Sequence, residues 1–339
     1  MRIIQAILLA CWLIPRATAA QNQSLEIYFI DVEGGQATLI VAPPGQSLLV
    51  DTGWPDFGGR DVERIVAAAR LASLKRIDYV LITHYHRDHV GGAPQLADSI
   101  PIGTFIDHGP SAETGKEAEG LFSAYQKLLQ KTPRRVVTPG DAVALGEAKA
   151  DVLTANGECI RTALPGAGQP NPYCPAVERE KDDPSENARS VGILLTFGKF
   201  RFIDLGDLTW NKELDLMCPN NRVGQVDVYL TSHHGLSISG SKALVWALHP
   251  RVAIMNNGAR KGGEAEAWQV VKSSPGLEDL WQLHYALAGG KEHNVADSYI
   301  ANPAEKCEGQ YLKLSAQPNG TFTVTNSRNG FSKAYPTSQ

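Results

Sequence analysis

The chain has 339 residues, 43% of them hydrophobic and 20% charged, a balance that excludes a disordered chain and leaves room for one large layered domain or two small ones. Its formal charge of −4 comes with no block of lysines or arginines. That argues against an extended nucleic-acid surface, because sequence-independent binding rests on rows of cations.

Met1-Arg2, an apolar run over 3–14 and then Pro15-Arg16-Ala17-Thr18-Ala19-Ala20 read as a secretory signal peptide cut near Ala19 or Ala20, so a secreted or periplasmic protein is expected. Loss of Arg2 and Arg16 takes the formal charge from −4 to −6. A lipid anchor on Cys11, after Leu8-Leu9-Ala10, is the less favoured alternative, since Cys11 lies so close to the start. The apolar run is too short to span a bilayer and no later stretch of about 18 apolar residues follows, so no transmembrane segment is expected in the mature chain. Four cysteines then remain. An even number in an exported chain favours disulfides, with Cys159 expected to pair with Cys174 across a short loop and Cys218 with Cys307, against the alternative of buried thiols.

In chain order, residues 25–30 alternate as a strand and lead into Asp31-Val32-Glu33-Gly34-Gly35-Gln36-Ala37. Two more strands, 38–41 and 47–50, flank the turn Pro43-Pro44-Gly45, and the second ends in Asp51-Thr52-Gly53. Val62, Ile65, Val66, Ala69 and Leu71 recur at helical spacing over 61–71. The apolar run 79–82 predicts a buried strand that delivers His84, His86, Asp88 and His89 into a loop before Gly91-Gly92. Imidazole and carboxylate are the ligands that borderline divalent ions such as zinc accept. Side chains two apart in extended backbone point the same way, so His84 and His86 can grip one ion. Asp88 and His89, where the chain turns into a helix over 90–97, can face a second.

A strand over 102–106 ends in Asp107-His108-Gly109, and an amphipathic helix is expected over 113–131. His108 leaves a strand end as the metal histidines do, which makes it a pocket-lining or supplementary-ligand candidate; a structural histidine fits equally well. Residues 157–187 are rich in proline and glycine and lack periodicity, as expected of a long covering loop. A hairpin over 191–197 and 199–205 ends in Leu205-Gly206-Asp207, and the strand 226–230 runs into Thr231-Ser232-His233-His234-Gly235. The segments 242–248, 251–255, 264–272 and 280–283 continue an alternation of helix and strand. They bring Asn257 and His284 to strand ends on the edge of His233 as substrate-contact candidates, with Lys261 and Asn294 as candidate anion contacts.

T-H-Y-H-R-D-H-V-G-G, residues 83–92, resembles the H-x-H-x-D-H signature of the metallo-β-lactamase superfamily. The resemblance covers nearly all of the mature chain. It implies an α/β fold, a four-layered α/β/β/α sandwich with mixed sheets and the metals at one edge, as a single domain over 25–328 between the leader 1–20 and a tail 329–339. It further implies that Asp51 braces the histidine loop and that Asp207 bridges two cations. One of His233 and His234 would complete the coordination of the second ion; His233 is favoured as ligand, leaving His234 for substrate or proton transfer. The stretch from Asp31 to Ala37, with Asn187-Ala188-Arg189-Ser190, Leu205-Gly206-Asp207 and His233-His234-Gly235, is similar to the extracellular hydrolase domain of bacterial competence DNA-uptake proteins. Most of the superfamily places a histidine roughly twenty residues before the bridging aspartate. This chain has Asn187 there, a weak zinc ligand, so the first ion is left with His84, His86 and Asp207, or gains His108. The function implied is metal-dependent hydrolysis through a metal-activated water, with two Zn2+ or Mn2+ ions and Asp88 or His234 handling the proton. Its substrate would be a small or envelope-derived phosphodiester or related ester. The alternatives are a lactone or β-lactam hydrolase and a non-catalytic secreted binding module.

Overall fold

The computed structural model describes residues 24–337; the leader expected over 1–20, with Cys11, lies outside the described residues. Hydrophobic residues alternate along strand after strand. Leu25, Ile27 and Phe29 face one core while Tyr28 and Ile30 face another, and Ile193, Leu195 and Phe197 are divided in the same way from Leu194. Strands with two apolar faces must be covered on both sides. The chain meets that demand with two sheets packed face to face and helices outside each.

The first sheet has the order Ser332–Tyr335, Phe322–Asn326, Leu312–Ala316, Leu25–Phe29, Thr38–Ala42, Gln46–Val50, Ile77–Leu81, Ile102–Asp107 and Arg134–Val136. The second has the order Ile300–Asn302, Asp279–His284, Val252–Met255, Val228–Leu230, Phe200–Asp204, Gly192–Phe197, Ala148–Ala155 and Ala142–Leu145, with Glu158–Cys159 also paired to Ala148–Ala155. Between them lies a core in which the Phe29 and Phe202 rings meet edge to face at 5.8 Å. Each large side chain buried there contributes about 1.5–3 kcal/mol by leaving water. Helices Arg60–Leu71, Ala93–Ser99 and Lys116–Leu129 cover the first sheet, and Trp210–Met217, Lys242–Leu248 and Ala265–Lys272 the second. The result is the expected α/β/β/α sandwich. No helix among the described residues is long and apolar enough to cross a membrane.

Three details differ from the sequence reading. The helix expected over 90–97 is two short helices, Arg87–Val90 and Ala93–Ser99, the second with Pro94 in its first turn, where a missing N–H costs nothing. The segment 329–339, expected as a tail, holds the strand Ser332–Tyr335, which pairs antiparallel with Phe322–Asn326. The disulfide joins Cys174 to Cys218, with Cα atoms 5.9 Å apart, and Cys159 and Cys307 are free thiols. Proximity in sequence misleads here because Cys159 is drawn into strand pairing with Thr154. The loop meanwhile crosses to the end of helix Trp210–Met217 through a bridge between Pro170 and Asn220.

Candidate metal centre

In the first sheet Gln46–Val50, Ile77–Leu81 and Ile102–Asp107 run parallel, so their carboxyl ends share one edge. In the second sheet Phe200–Asp204, Val228–Leu230, Val252–Met255 and Asp279–His284 also run parallel. Ligands collected at these ends meet where the two edges meet. The junction is tight: Val191 donates its N–H to the carbonyl of Thr83 and His233 donates to that of Gly206. Gly206 has φ 56°, and a Cβ there would lie 3.0 Å from the Cβ of Thr83. Glycine is required at the crossing for both reasons.

Ligand-capable atoms of Asp88, His89, Asp207 and His234 lie within 4.8 Å of one another, and all four residues are buried. His234 Nε2 is 3.2 Å from His89 Nε2, 3.2 Å from Asp88 Oδ2 and 3.4 Å from Asp207 Oδ1. Beside them His84 Nε2 faces His86 Nδ1 at 3.1 Å, and Asp207 Oδ2 lies 3.9 Å from His84 Nε2. Asp207 thus stands between the two groups. Of the histidine pair it is His234 that joins the cluster. His233 Nε2 reaches Asp207 Oδ2 at 3.3 Å while its Nδ1 meets Ser239 Oγ at 3.2 Å. Both residues adopt left-handed backbone, φ 55° and 56°, so the pair turns two successive rings toward Asp207.

The donor set fits a divalent ion. Asp51 Oδ2 accepts from His89 Nδ1 at 2.7 Å and from Thr83 Oγ1 at 2.7 Å, and Thr83 Oγ1 in turn meets His84 Nδ1 at 3.0 Å. With Nδ1 committed to Asp51, His89 turns Nε2 inward toward Asp207 at 3.2 Å. His86 is fixed likewise, its Nε2 bonded to Glu113 Oε1 at 2.9 Å, which leaves Nδ1 facing His84. Asp207 Oδ1 accepts no hydrogen bond among the described residues. Two imidazole nitrogens turned toward each other at 3.2 Å beside such an oxygen match ligands of a shared cation. Burial and the neighbouring His89 push His84 well below its ordinary pKa, so it is a neutral ligand. Burial opposes charge on His89, but Asp207, Asp88 and Asp51 outweigh it and hold that ring well above its usual range. The cluster attracts positive charge.

The other predicted residues are spent elsewhere. His108 Nε2 is 3.0 Å from Glu186 Oε2, so it supplies no extra ligand; the same carboxylate accepts from the N–H of Tyr85 at 3.1 Å and of Ala112 at 2.5 Å, and this latches the 157–187 loop onto the histidine turn. Asn187 lies in the short turn Glu186–Arg189, its Oδ1 buried without a partner. Asn257 donates to the carbonyls of Gly258 and His284, and His284 bonds Asp31 at 2.8 Å. Neither belongs to the cation cluster. Asn294 is tied to Gln282 and to the backbone of Ala286. Lys261, in contrast, forms an ion pair with Asp88. Glu113, Thr83 and Glu186 were given no role in the sequence reading. Only Thr83, next to His84, carried a local signal.

A family model described as the metallo-beta-lactamase superfamily matches residues 30–177. A UPF0173 protein of Pyrococcus abyssi is 25% identical over 241 residues, which is 69% of this chain and 86% of that protein. A beta-lactamase-like protein 2 homolog of Caenorhabditis elegans is 38% identical over 69 residues, 20% of this chain and 22% of its own length. Among solved structures, the metallo-beta-lactamase fold protein YhfI of Bacillus subtilis aligns with TM-score 0.48 and 12% identity over 77% of this chain and 96% of its own. CmlA, a diiron beta-hydroxylase of Streptomyces venezuelae, aligns with TM-score 0.41 and 17% identity over 76% and 48%.

Proposed function

We propose that this chain is a member of the metallo-beta-lactamase superfamily and an exported metal-dependent hydrolase acting on a phosphodiester or a related ester. The observation that carries this reading is the convergence of Asp88, His89, Asp207 and His234 within 4.8 Å, beside the facing pair His84 and His86. His84, His86 and Asp207 would hold one ion, and Asp88, His89, His234 and Asp207 another, zinc or manganese being suited to such N and O donors. A bound divalent ion supplies Lewis acidity and an activated water at neutral pH.

The chain's own residues do the rest. Asp51, Thr83 and Glu113 hold the imidazoles in the tautomers that face inward. Burial pushes His233 down to about 4 despite Asp207 beside it, so its ring is neutral, with Nε2 turned toward Asp207 at 3.3 Å. Proton transfer was expected of Asp88 or His234, and both lie in the cluster. The latch of Glu186 and His108 holds the end of the 157–187 loop beside the histidine turn. The leader, and a disulfide of the kind that persists in oxidising compartments, support export.

The test combines metal analysis of the purified chain with assays on bis(p-nitrophenyl) phosphate, a lactone and a chromogenic cephalosporin. Metal-dependent phosphodiester turnover, lost in His86→Ala and in Asp88→Ala, is expected. Turnover of the lactone or cephalosporin alone would move the reading to those substrates, and bound metal without turnover of any would reduce the protein to a binder.

A further inference from the structure

Beside the candidate metal centre runs a stripe of two aromatic rings flanked by cations. Lys261 pairs with the Asp88 carboxylate and lies over the ring of Trp54, its nitrogen 5.1 Å from the centroid. Trp54 meets Phe57 edge to face at 6.5 Å, and the Arg60 guanidinium lies 4.3 Å from the Phe57 centroid. Trp54 follows Asp51 by three residues and is packed against the loop that backs Asp88, since a Cβ on Gly35 would stand 3.0 Å from Trp54 Nε1 and 2.6 Å from the Asp88 carbonyl. Phe57 is 61% exposed although Arg60 covers one of its faces. A large apolar ring held open to water by a folded loop is a cost to the free protein, and a guest ring would relieve it.

We propose that Trp54 and Phe57 form a subsite for a flat heteroaromatic ring of the nucleobase kind, joined to an anionic group that Lys261 receives at the edge of the metal centre. The inference rests on the phosphodiester reading above and narrows it to nucleotide-like esters. Two physical points lead there. Stacking on aromatic rings selects flat π systems without requiring a particular base, and a cation beside the ring suits the phosphoryl oxygen that a nucleotide carries next to its base. Arg60 is already engaged by Glu33 at 2.9 Å and Asp61 at 2.6 Å, so the cation left to meet an anionic group beside the reacting atoms is Lys261, which that group would share with Asp88. The stripe is a seat for a single nucleoside and not a track for a polymer, in keeping with a chain that lacks rows of cations.

The test compares two esters with the same leaving group on the metal-loaded protein, thymidine 5′-(p-nitrophenyl phosphate) and ethyl p-nitrophenyl phosphate. The ratio of their kcat/KM values then reads only the retained group. The unaltered chain is expected to favour the nucleoside ester by roughly tenfold or more, and Trp54→Ala and Phe57→Ala each to reduce the ratio severalfold. Phe57 is exposed, so its removal leaves the core intact. A ratio near one, or a ratio unchanged in both variants, overturns the subsite. Should neither ester be hydrolysed, the phosphodiester reading fails on its own account. The subsite is then read by quenching of tryptophan fluorescence with thymidine 5′-monophosphate, as the difference between the chain and Trp54→Phe: saturable quenching supports it, and no difference overturns it.

Discussion

Asp51 ends its strand with φ 61°, a conformation that asparagine tolerates nearly as well as aspartate. Its carboxylate takes the Thr83 N–H at 2.8 Å, the Thr83 hydroxyl and His89 Nδ1. Asp51→Asn therefore keeps the turn but removes the charge that fixes His89. Metal affinity, measured by competition with a chromophoric chelator, should fall about 10–100-fold with the fold retained. Asp207→Ala should be more severe. It removes the one carboxylate facing both groups of histidines, and bound metal and turnover should together drop by roughly a hundredfold or more. Glu213 makes a different prediction. Burial pushes its carboxyl up to about 7, against the opposing bonds from the Gly240 and Ser241 N–H groups. A folded pKa above the ordinary 4.5 means that the native state holds the proton more tightly. Its contribution to stability is complete below about 4.5 and lost as pH rises through about 7. The urea midpoint should decline between pH 5 and pH 8, and Glu213→Gln should flatten that slope. Residues whose partners lie close along the chain were legible from the sequence, as His84, His86, Asp88 and His89 were. Glu113 was not, because it lies 27 positions beyond His86 and meets it only once the chain has folded back.

Among the elements, the 157–187 loop depends most on crosslinks. Cys174–Cys218 closes 44 residues of chain, and Cys174→Ser with Cys218→Ser should cost about 2–4 kcal/mol in urea unfolding. Beneath the loop, burial works against ionised Glu186, but His108 and the Ala112 and Tyr85 N–H groups hold its pKa below the ordinary value. The apolar periodicity of Arg60–Leu71 and of Lys116–Leu129 was plain in sequence because each helix buries one face. Ala142–Leu145 and Ala148–Ala155 escaped notice because Ala142, Ala144, Ala148 and Ala150 fall on both faces and blur the apolar alternation that marks a strand. The cysteine pairing was misread for a related reason: a loop without periodicity gives no sign of where it docks.

At the scale of the whole molecule, the candidate centre is assembled from both sheets. His84, His86, Asp88 and His89 arrive with the first, Asp207, His233 and His234 with the second, and the shared apolar core holds them in register. Phe202→Ala should destabilise the chain by about 3–5 kcal/mol, while the fraction that remains folded keeps its full metal content. The layered fold was legible because hydrophobic alternation is local; the meeting of the two edges was legible only through the motif. The first sheet also has outer margins. It ends on one side at Arg134–Val136 and on the other at Ser332–Tyr335. Both segments are brief, and Arg134, Arg135 and Lys333 place positive charge along them. Backbone left unpaired at a margin invites a neighbouring polypeptide to add its own strand, and short, cationic borders discourage that. The margins of the first sheet are therefore poor templates for a strand from another molecule.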